Sequence, residues 1–337
     1  MEIIMTKGTK VFRVIICILL GLTMLFGAFF SLLFVLHIEK DVMGAGYGIY
    51  VAGVRVTRNN EDDILGDGTV YYSAYNNVLT FDNATIDCND TIVYSTTDLM
   101  IELLGENKMT MSGDYLTVIY VADHLLTKDL AFIGDGALTV ELTGTSGSAM
   151  GIFAKDLRVE TDISITMPDS VSICNGIYCE GALTITNGAT VTVNNGSSAY
   201  STAVKACNNV SVELGAALNV SIAPGTTELC RGLTVGGSLI VWDDATLNVT
   251  VDDQAAKTSE CISVYGLLSV SDNARVTAAA KKAYGIECFG SVELGKDATI
   301  SSLTEAEGVD MLCYGAIVNY GAEVNSEVEA LGGIYSK

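Results

Sequence analysis

The chain has 337 residues with 18 basic and 40 acidic side chains, a formal net charge of −22. Such an acidic surface excludes nucleic acid and anionic lipid as electrostatic partners, because like charge repels them. There is no Cys-x-x-Cys, His-Glu-x-x-His, Gly-x-Ser-x-Gly or phosphate loop ending in Lys-Ser/Thr, so the common zinc, serine-hydrolase and nucleotide signatures are missing.

Residues 1–13 carry Lys7, Lys10 and Arg13 and form a short tail, and residues 14–36 follow without a charge. As a helix that run spans roughly 34 Å, enough to cross a bilayer core. Positive charge on its amino side places residues 1–13 in the cytoplasm and the rest outside. The run is long and no Ala-x-Ala closes it, so an uncleaved transmembrane signal anchor is expected rather than a cleaved signal peptide. The expected protein is single-pass at the cell membrane, with an extracellular C-terminal domain. Without residues 1–40, 38 acids face 14 bases.

Residues 46–76 read as an N-terminal cap. A strand, a tight Ala52-Gly53 reversal and a second strand make a hairpin, and Asn59 to Asp63 could form one helical turn. Solenoids need a polar cap at each end. From Asn77 the chain reads as one parallel β-helix to Lys337. Leu79/Phe81/Ile86, Leu99/Ile101/Met109/Met111 and Leu130/Phe132/Val140/Leu142 are its first, irregular coils.

From Gly151 the repeat is regular, with starts at Gly151, Gly176, Ala203, Gly232, Cys261 and Gly285, 24 to 29 residues apart. Apolar and polar residues alternate with a period of two, so each run is a strand with one buried face. Aligned columns follow, such as Ile152, Ile177, Val204, Leu233, Ile262 and Ile286, and Leu157, Leu183, Val210, Leu239, Leu268 and Val292. A third strand contributes Ile165, Val191, Leu218, Leu247, Val276 and Ile300. No unit can bury its apolar face alone, so the units stack. At the turn, Asp162, Gly188, Gly215, Asp244, Asn273 and Asp297 are residue types that tolerate a left-handed backbone. The expected fold is therefore all-β, a right-handed parallel β-helix of about ten coils. A degenerate last coil runs through Ile317, Val324 and Ile334, and its open edge suggests self-association through the C-terminal end.

The motifs Tyr47-x-Ile-x-Val-x-Gly-x-x-Val-Thr57, Asp63-Ile-Leu-Gly-Asp-Gly-Thr-Val-x-Tyr72 and Asn77-Val-Leu-Thr-Phe-Asp-Asn-Ala-Thr-Ile86, with the Gly-Ile-x-x-x-Gly-x-Leu-x-Ile repeats, resemble β-solenoid surface proteins of gut Gram-positive bacteria. The resemblance covers roughly residues 46–335 and implies a surface protein of carbohydrate-binding-like character.

Nine cysteines in an extracellular chain suggest disulfides. The columns argue against most of them. Cys179 and Cys288 stand four coils apart, about 19 Å, well beyond a disulfide's reach. Cys230 and Cys261 are the neighbouring pair with the least obstacle, and mostly free thiols are expected.

Three outward features could carry function. Asp243, Asp244, Asp272 and Asp297 stack along one corner, where calcium, the one cofactor suggested, would relieve repulsion between carboxylates. Turn chemistry alone also favours Asp there. Trp242, the sole tryptophan, should face outward between Glu213 and Ser271 and offer a sugar-stacking platform. Tyr265 pairs with Phe289, and Phe153 with Tyr178, on neighbouring coils; such pairs also stabilise sheets in their own right. The carbohydrate set is thus Trp242, Glu213, Tyr265 and Phe289. No catalytic residue stands out. Non-enzymatic surface binding, with glycan as ligand, is the leading function. The alternatives are a structural or adhesive protein-binding solenoid, and a calcium-dependent polysaccharide lyase or glycosidase with Arg275 as its base.

Overall fold

The computed structural model describes residues 46–336 apart from 114, 125, 145–146 and 306–308. By contacts the chain divides into residues 1–47 with 57–59, and residues 48–56 with 60–337. The expected cytoplasmic tail and transmembrane anchor lie outside the described residues. Among those that are described, no helix is long and apolar enough to cross a membrane.

The second unit is an all-β parallel solenoid of about nine turns. Each coil contributes a strand to three sheets in turn, as in Leu183–Ile185 of the second sheet, Thr190–Asn195 of the third and Ser198–Ala206 of the first. Burial strictly alternates in Thr190–Asn195, with Val191, Val193 and Asn195 inward. Stacking in register turns these positions into continuous columns. Leu183, Val210, Leu239 and Leu268 are successive Cα partners, as are Ile177, Val204, Leu233 and Ile262. All eight are essentially inaccessible to water. Their burial is the main source of stability, at about 1.5–3 kcal/mol for each such side chain.

One column needs correction. Val191 pairs with Ile163, and Ile165 pairs with Val193, a shift of two residues. The corner after Val159 lacks the two-residue turn of later coils, so Asp162 begins a strand instead of occupying a turn. Its carboxylate instead accepts the Thr190 N–H at 2.7 Å. The count of about nine turns is also slightly below the ten expected. At the start, the chain runs antiparallel along the sheets before it coils. Ile49–Val51 pair antiparallel with Val93–Ser95, and Val70–Ser73 with Val78–Phe81. The Ala52-Gly53 reversal is present, with both φ angles positive. Residues 59–62 form turns and no helix.

On four successive coils, the corner between second and third sheets is a type I′ turn, with positive φ at both central residues, and on the next coil Asp297 alone has positive φ. The pairs Asn187-Gly188, Leu214-Gly215, Asp243-Asp244 and Asp272-Asn273 all have φ between 55° and 75°. Successive turns are stitched together: the Gly188 N–H bonds Leu214 O, the Gly215 N–H bonds Asp243 O, and the Asp244 N–H bonds Asp272 O, at 2.8–2.9 Å. The alanines that follow, Ala189, Ala216, Ala245, Ala274 and Ala298, are buried where little else would fit.

At the corner leading back to the first sheet, side chains replace backbone partners. Asp253 is 0% exposed and accepts three N–H groups of the next coil, from Lys281, Lys282 and Ala283, at 2.7–2.9 Å. Asp169 accepts the Ser197 N–H, and Asp310 those of Thr304 and Glu327. Part of the acidity of this chain therefore serves to hold coil to coil.

Candidate functional site

The residues singled out in the sequence fall at opposite ends of the second-sheet strands. Trp242 follows Leu239–Val241 and begins the type I′ corner; it is 37% exposed. It stacks in its column between Glu213 and Ser271, as the alternation requires. Its indole Nε1–H is already engaged, donating to Glu213 Oε2 at 2.9 Å, and that carboxylate also accepts from Ser211 Oγ. Asp243, Asp244 and Asp272 hold positive-φ turn positions, as does Asp297, and Ser271 Oγ donates to Asp272 Oδ2 at 3.0 Å. Among the described residues no three His, Cys, Asp or Glu side chains come together to hold a metal ion. The four corner carboxylates are thus not gathered into a cage.

Tyr265 and Phe289 lie at the other end, just after the first-sheet strands Thr258–Val264 and Ile286–Cys288. Their rings stack at 4.8 Å between centroids, and Phe289 stacks in turn on Tyr314 at 5.0 Å. Each aromatic precedes a glycine, and the glycines form a ladder of their own. A Cβ on Gly290 would meet Gly266 O at 2.2 Å, and one on Gly315 would meet Gly290 O at 2.4 Å. The repeated aromatic-Gly pair was the signal for Tyr314, which the column reading missed.

Each later first-sheet strand bends midway. At Gly232 and Leu233, and again at Cys261 and Ile262, two successive residues turn inward, and the columns Gly232/Cys261 and Leu233/Ile262 are both buried. The outward positions on either side of the bend line one groove. Lys205, Arg231 and Thr234 share a cavity of about 340 Å³ with Ala206, Cys207, Gly236 and Tyr265. On a flat sheet outward polar residues stay wet, yet Thr234 is 7% and Ser263 0% exposed.

The polar chemistry of this groove is incomplete. Arg231 Nη2 bonds Glu260 Oε1 at 2.9 Å, but Arg231 Nε, Glu260 Oε2, Thr234 Oγ1 and Ser263 Oγ are buried without a hydrogen-bond partner. A buried polar atom left unpaired costs roughly 1–3 kcal/mol. Four of the eight such atoms among the described residues stand here, on two neighbouring coils. Next to them Glu287 accepts from the Tyr314 hydroxyl at 3.3 Å. Burial raises its carboxyl above the ordinary value, the tyrosine bond opposes this, and the Glu260 charge adds to it.

A second aromatic stack approaches the groove from the N-terminal side: Tyr50, Tyr94, Tyr120, Phe153 and Tyr178, with neighbouring centroids 5.0–5.9 Å apart. The Phe153–Tyr178 pair read from the sequence is its end. Lys205 Nζ closes it, 4.8 Å from the Tyr178 centroid, a cation–π contact. The rings face one another and so present mainly their edges to solvent. The Tyr265 stack ends differently: the preceding residue in its column is Gly236, which has no side chain to stack on the ring, and Tyr265 is half exposed.

Another groove, beside Asp98, Asp129 and Asp156 on the second sheet, is acidic but engaged. Asp98 accepts the Asp129 N–H, Asp156 the Ala182 N–H, and Lys155 pairs with Asp129. Asp98 and Asp156 do the same stapling as Asp253.

The eight described cysteines are free. Burial pushes the thiols of Cys174 and Cys230 up to about 12. The pair that shares one column on adjacent coils is Cys288 and Cys313, which are Cα partners, and not Cys230 and Cys261. Cys207, in the groove, is the one exposed thiol among the described residues.

The chain matches no family model, and no curated protein or solved structure is similar to it.

Proposed function

We propose that this chain is a membrane-anchored extracellular solenoid that binds glycan, without catalysis, in the groove of its first sheet. The observation that carries the reading is the uncovered face of Tyr265 over Gly236, beside polar groups that lack partners. Pyranose rings present C–H groups to an open aromatic face and hydroxyls to the polar atoms around it, and pockets of this kind combine apolar lining with a few convergent polar groups. Phe289 and Tyr314 back the ring and hold it in place. The anchor over residues 14–36, the hairpin cap over residues 46–76 and the right-handed coil belong to the same proposal. Its support is the uncharged run, the early antiparallel strands, the handedness rule for parallel connections and the resemblance to bacterial surface solenoids.

A glycan array with Tyr265→Ala and Trp242→Ala variants tests this reading. Binding that falls at least tenfold in the first and less than twofold in the second is expected. Loss in Trp242→Ala alone would move the site to the type I′ corner, and an array without any binding would end the glycan reading.

A second reading, an adhesive solenoid that binds protein or its own copies, draws on Leu331, Ile334 and Tyr335, which are exposed along the last coil. Concentration-dependent association in light scattering, lost in Leu331→Ser/Ile334→Ser, would select it.

A further inference from the structure

The groove differs from the rest of the molecule in the sign and kind of its polar groups. The chain carries a net charge of −22, yet the side chains that line this cavity include two cations, Lys205 and Arg231, and no carboxylate. Glu260 neutralises Arg231 from one side, through Nη2, and leaves Arg231 Nε buried and unpartnered. Lys205 Nζ lies over the Tyr178 ring, 4.8 Å from its centroid, and forms no ion pair among the described residues. Thr234 Oγ1, on a side chain more than nine-tenths buried, adds a third group able to donate. A neutral hydroxyl can satisfy only part of such a set, because it must donate a proton of its own. A carboxylate accepts on both oxygens and compensates the surplus positive charge, and hydrogen bonds to charged groups are about twice as strong as neutral ones.

Resting on the glycan reading above, we propose that the groove selects acidic sugars of the uronate type. The pyranose ring lies on Tyr265, and its carboxylate faces the two cations that line the cavity, Lys205 and Arg231, with Thr234 beside them. The strongly negative surroundings then act as a filter: a long polyanion is repelled along the coil, and a short or chain-terminal uronate is admitted.

The test compares trigalacturonate with uncharged galactotriose on the full chain. Two signals are read: affinity by calorimetry, and protection of Cys207 from maleimide alkylation, since that thiol lines the same cavity and is exposed. Trigalacturonate binding at least tenfold tighter, protecting Cys207 and weakening as salt is raised, is the expected result. Lys205→Gln should narrow the preference several-fold. Arg231→Gln alone would strand Glu260, so the Arg231→Gln/Glu260→Gln double variant is used, with its thermal midpoint checked; it should bring the ratio of the two affinities close to one. If galactotriose binds as tightly as trigalacturonate and protects Cys207 equally, acid selection is wrong and glycan binding stands. If neither sugar binds nor protects, the glycan reading fails and this inference with it.

Discussion

The carboxylates at the corners of the solenoid and the polar groups of its first-sheet groove are used in opposite ways. At the corners, each of the carboxylates at Asp162, Asp169, Asp253 and Asp310 accepts a backbone N–H of a neighbouring coil or turn. In the first-sheet groove, Arg231 Nε, Thr234 Oγ1, Glu260 Oε2 and Ser263 Oγ are buried with nothing to bond, as are Thr186 Oγ1, Asn195 Oδ1, Ser198 Oγ and Thr226 Oγ1 on earlier coils. The first arrangement is what a stack of coils needs for its own stability. The second is unfavourable for the free protein, and such groups are tolerated where a ligand completes them. The contrast shows why a raw count of acids says little about function in this chain.

The largest effect expected of this contrast is at Asp253. Asp253→Ala leaves three backbone N–H groups at a buried corner without an acceptor and should cost about 3–5 kcal/mol. Asp253→Asn keeps one carbonyl oxygen, turns an N–H₂ toward the Ala283 N–H and should cost less, about 1–3 kcal/mol. Urea unfolding measures both. A change below 1 kcal/mol in Asp253→Ala would mean that the corner does not depend on its staple.

The difference between the regions also decides what could be read in the sequence. Inward columns repeat because each coil must fill the same space above the last, so Ile152 to Ile286 could be aligned by eye. The register slipped at Ile165 because the corner before it contains no Asn-Gly or Asp-Asp pair to announce its length. Outward positions carry no such constraint. Trp242 and Tyr265 were both legible as exposed aromatics, but their separation at two ends of a strand depends on where the coil turns. The groove was hidden more deeply. Its bend consists of two successive inward residues, Gly232 and Leu233, which interrupt the alternation by one position. A single break in phase of that kind reads as noise in a sequence with Gly at many turns. The Cys288–Cys313 neighbours escaped for a related reason: after Gly285 the repeat loses its regular spacing, and the aromatic-Gly pairs at 289–290 and 314–315 are the better ruler.

The groove offers the converse test, of intermediate size. Thr234→Val preserves shape and removes an unpartnered hydroxyl, and Ser263→Ala does the same on the next coil. Each should be neutral or stabilising by up to about 1 kcal/mol, where an engaged hydroxyl would cost about as much on removal. Thr234→Val should at the same time weaken sugar binding. A clear loss of stability in both variants would show that these hydroxyls already have partners, such as ordered water, and would erase the distinction drawn between groove and corner.

The smallest effect belongs to the type I′ corner, where turn chemistry and ligand chemistry predict opposite signs. Asp244 sits at φ 61°, directly after Asp243 at φ 58° and stacked against the Asp272 turn. Glycine adopts that backbone without a steric penalty, and the Asp244→Gly variant also removes one of several like charges along the corner. Its N–H to Asp272 O is kept. The gain from relief of backbone strain should exceed the added entropy of the unfolded chain slightly, giving about 0.5 kcal/mol of stabilisation, seen as a higher urea midpoint. Because Asn187-Gly188 and Leu214-Gly215 already make the same turn with glycine in second place, the fold itself has performed this substitution on neighbouring coils. A drop in stability would therefore have to come from the carboxylate, and it would turn attention from the groove back to Trp242 and the acids beside it.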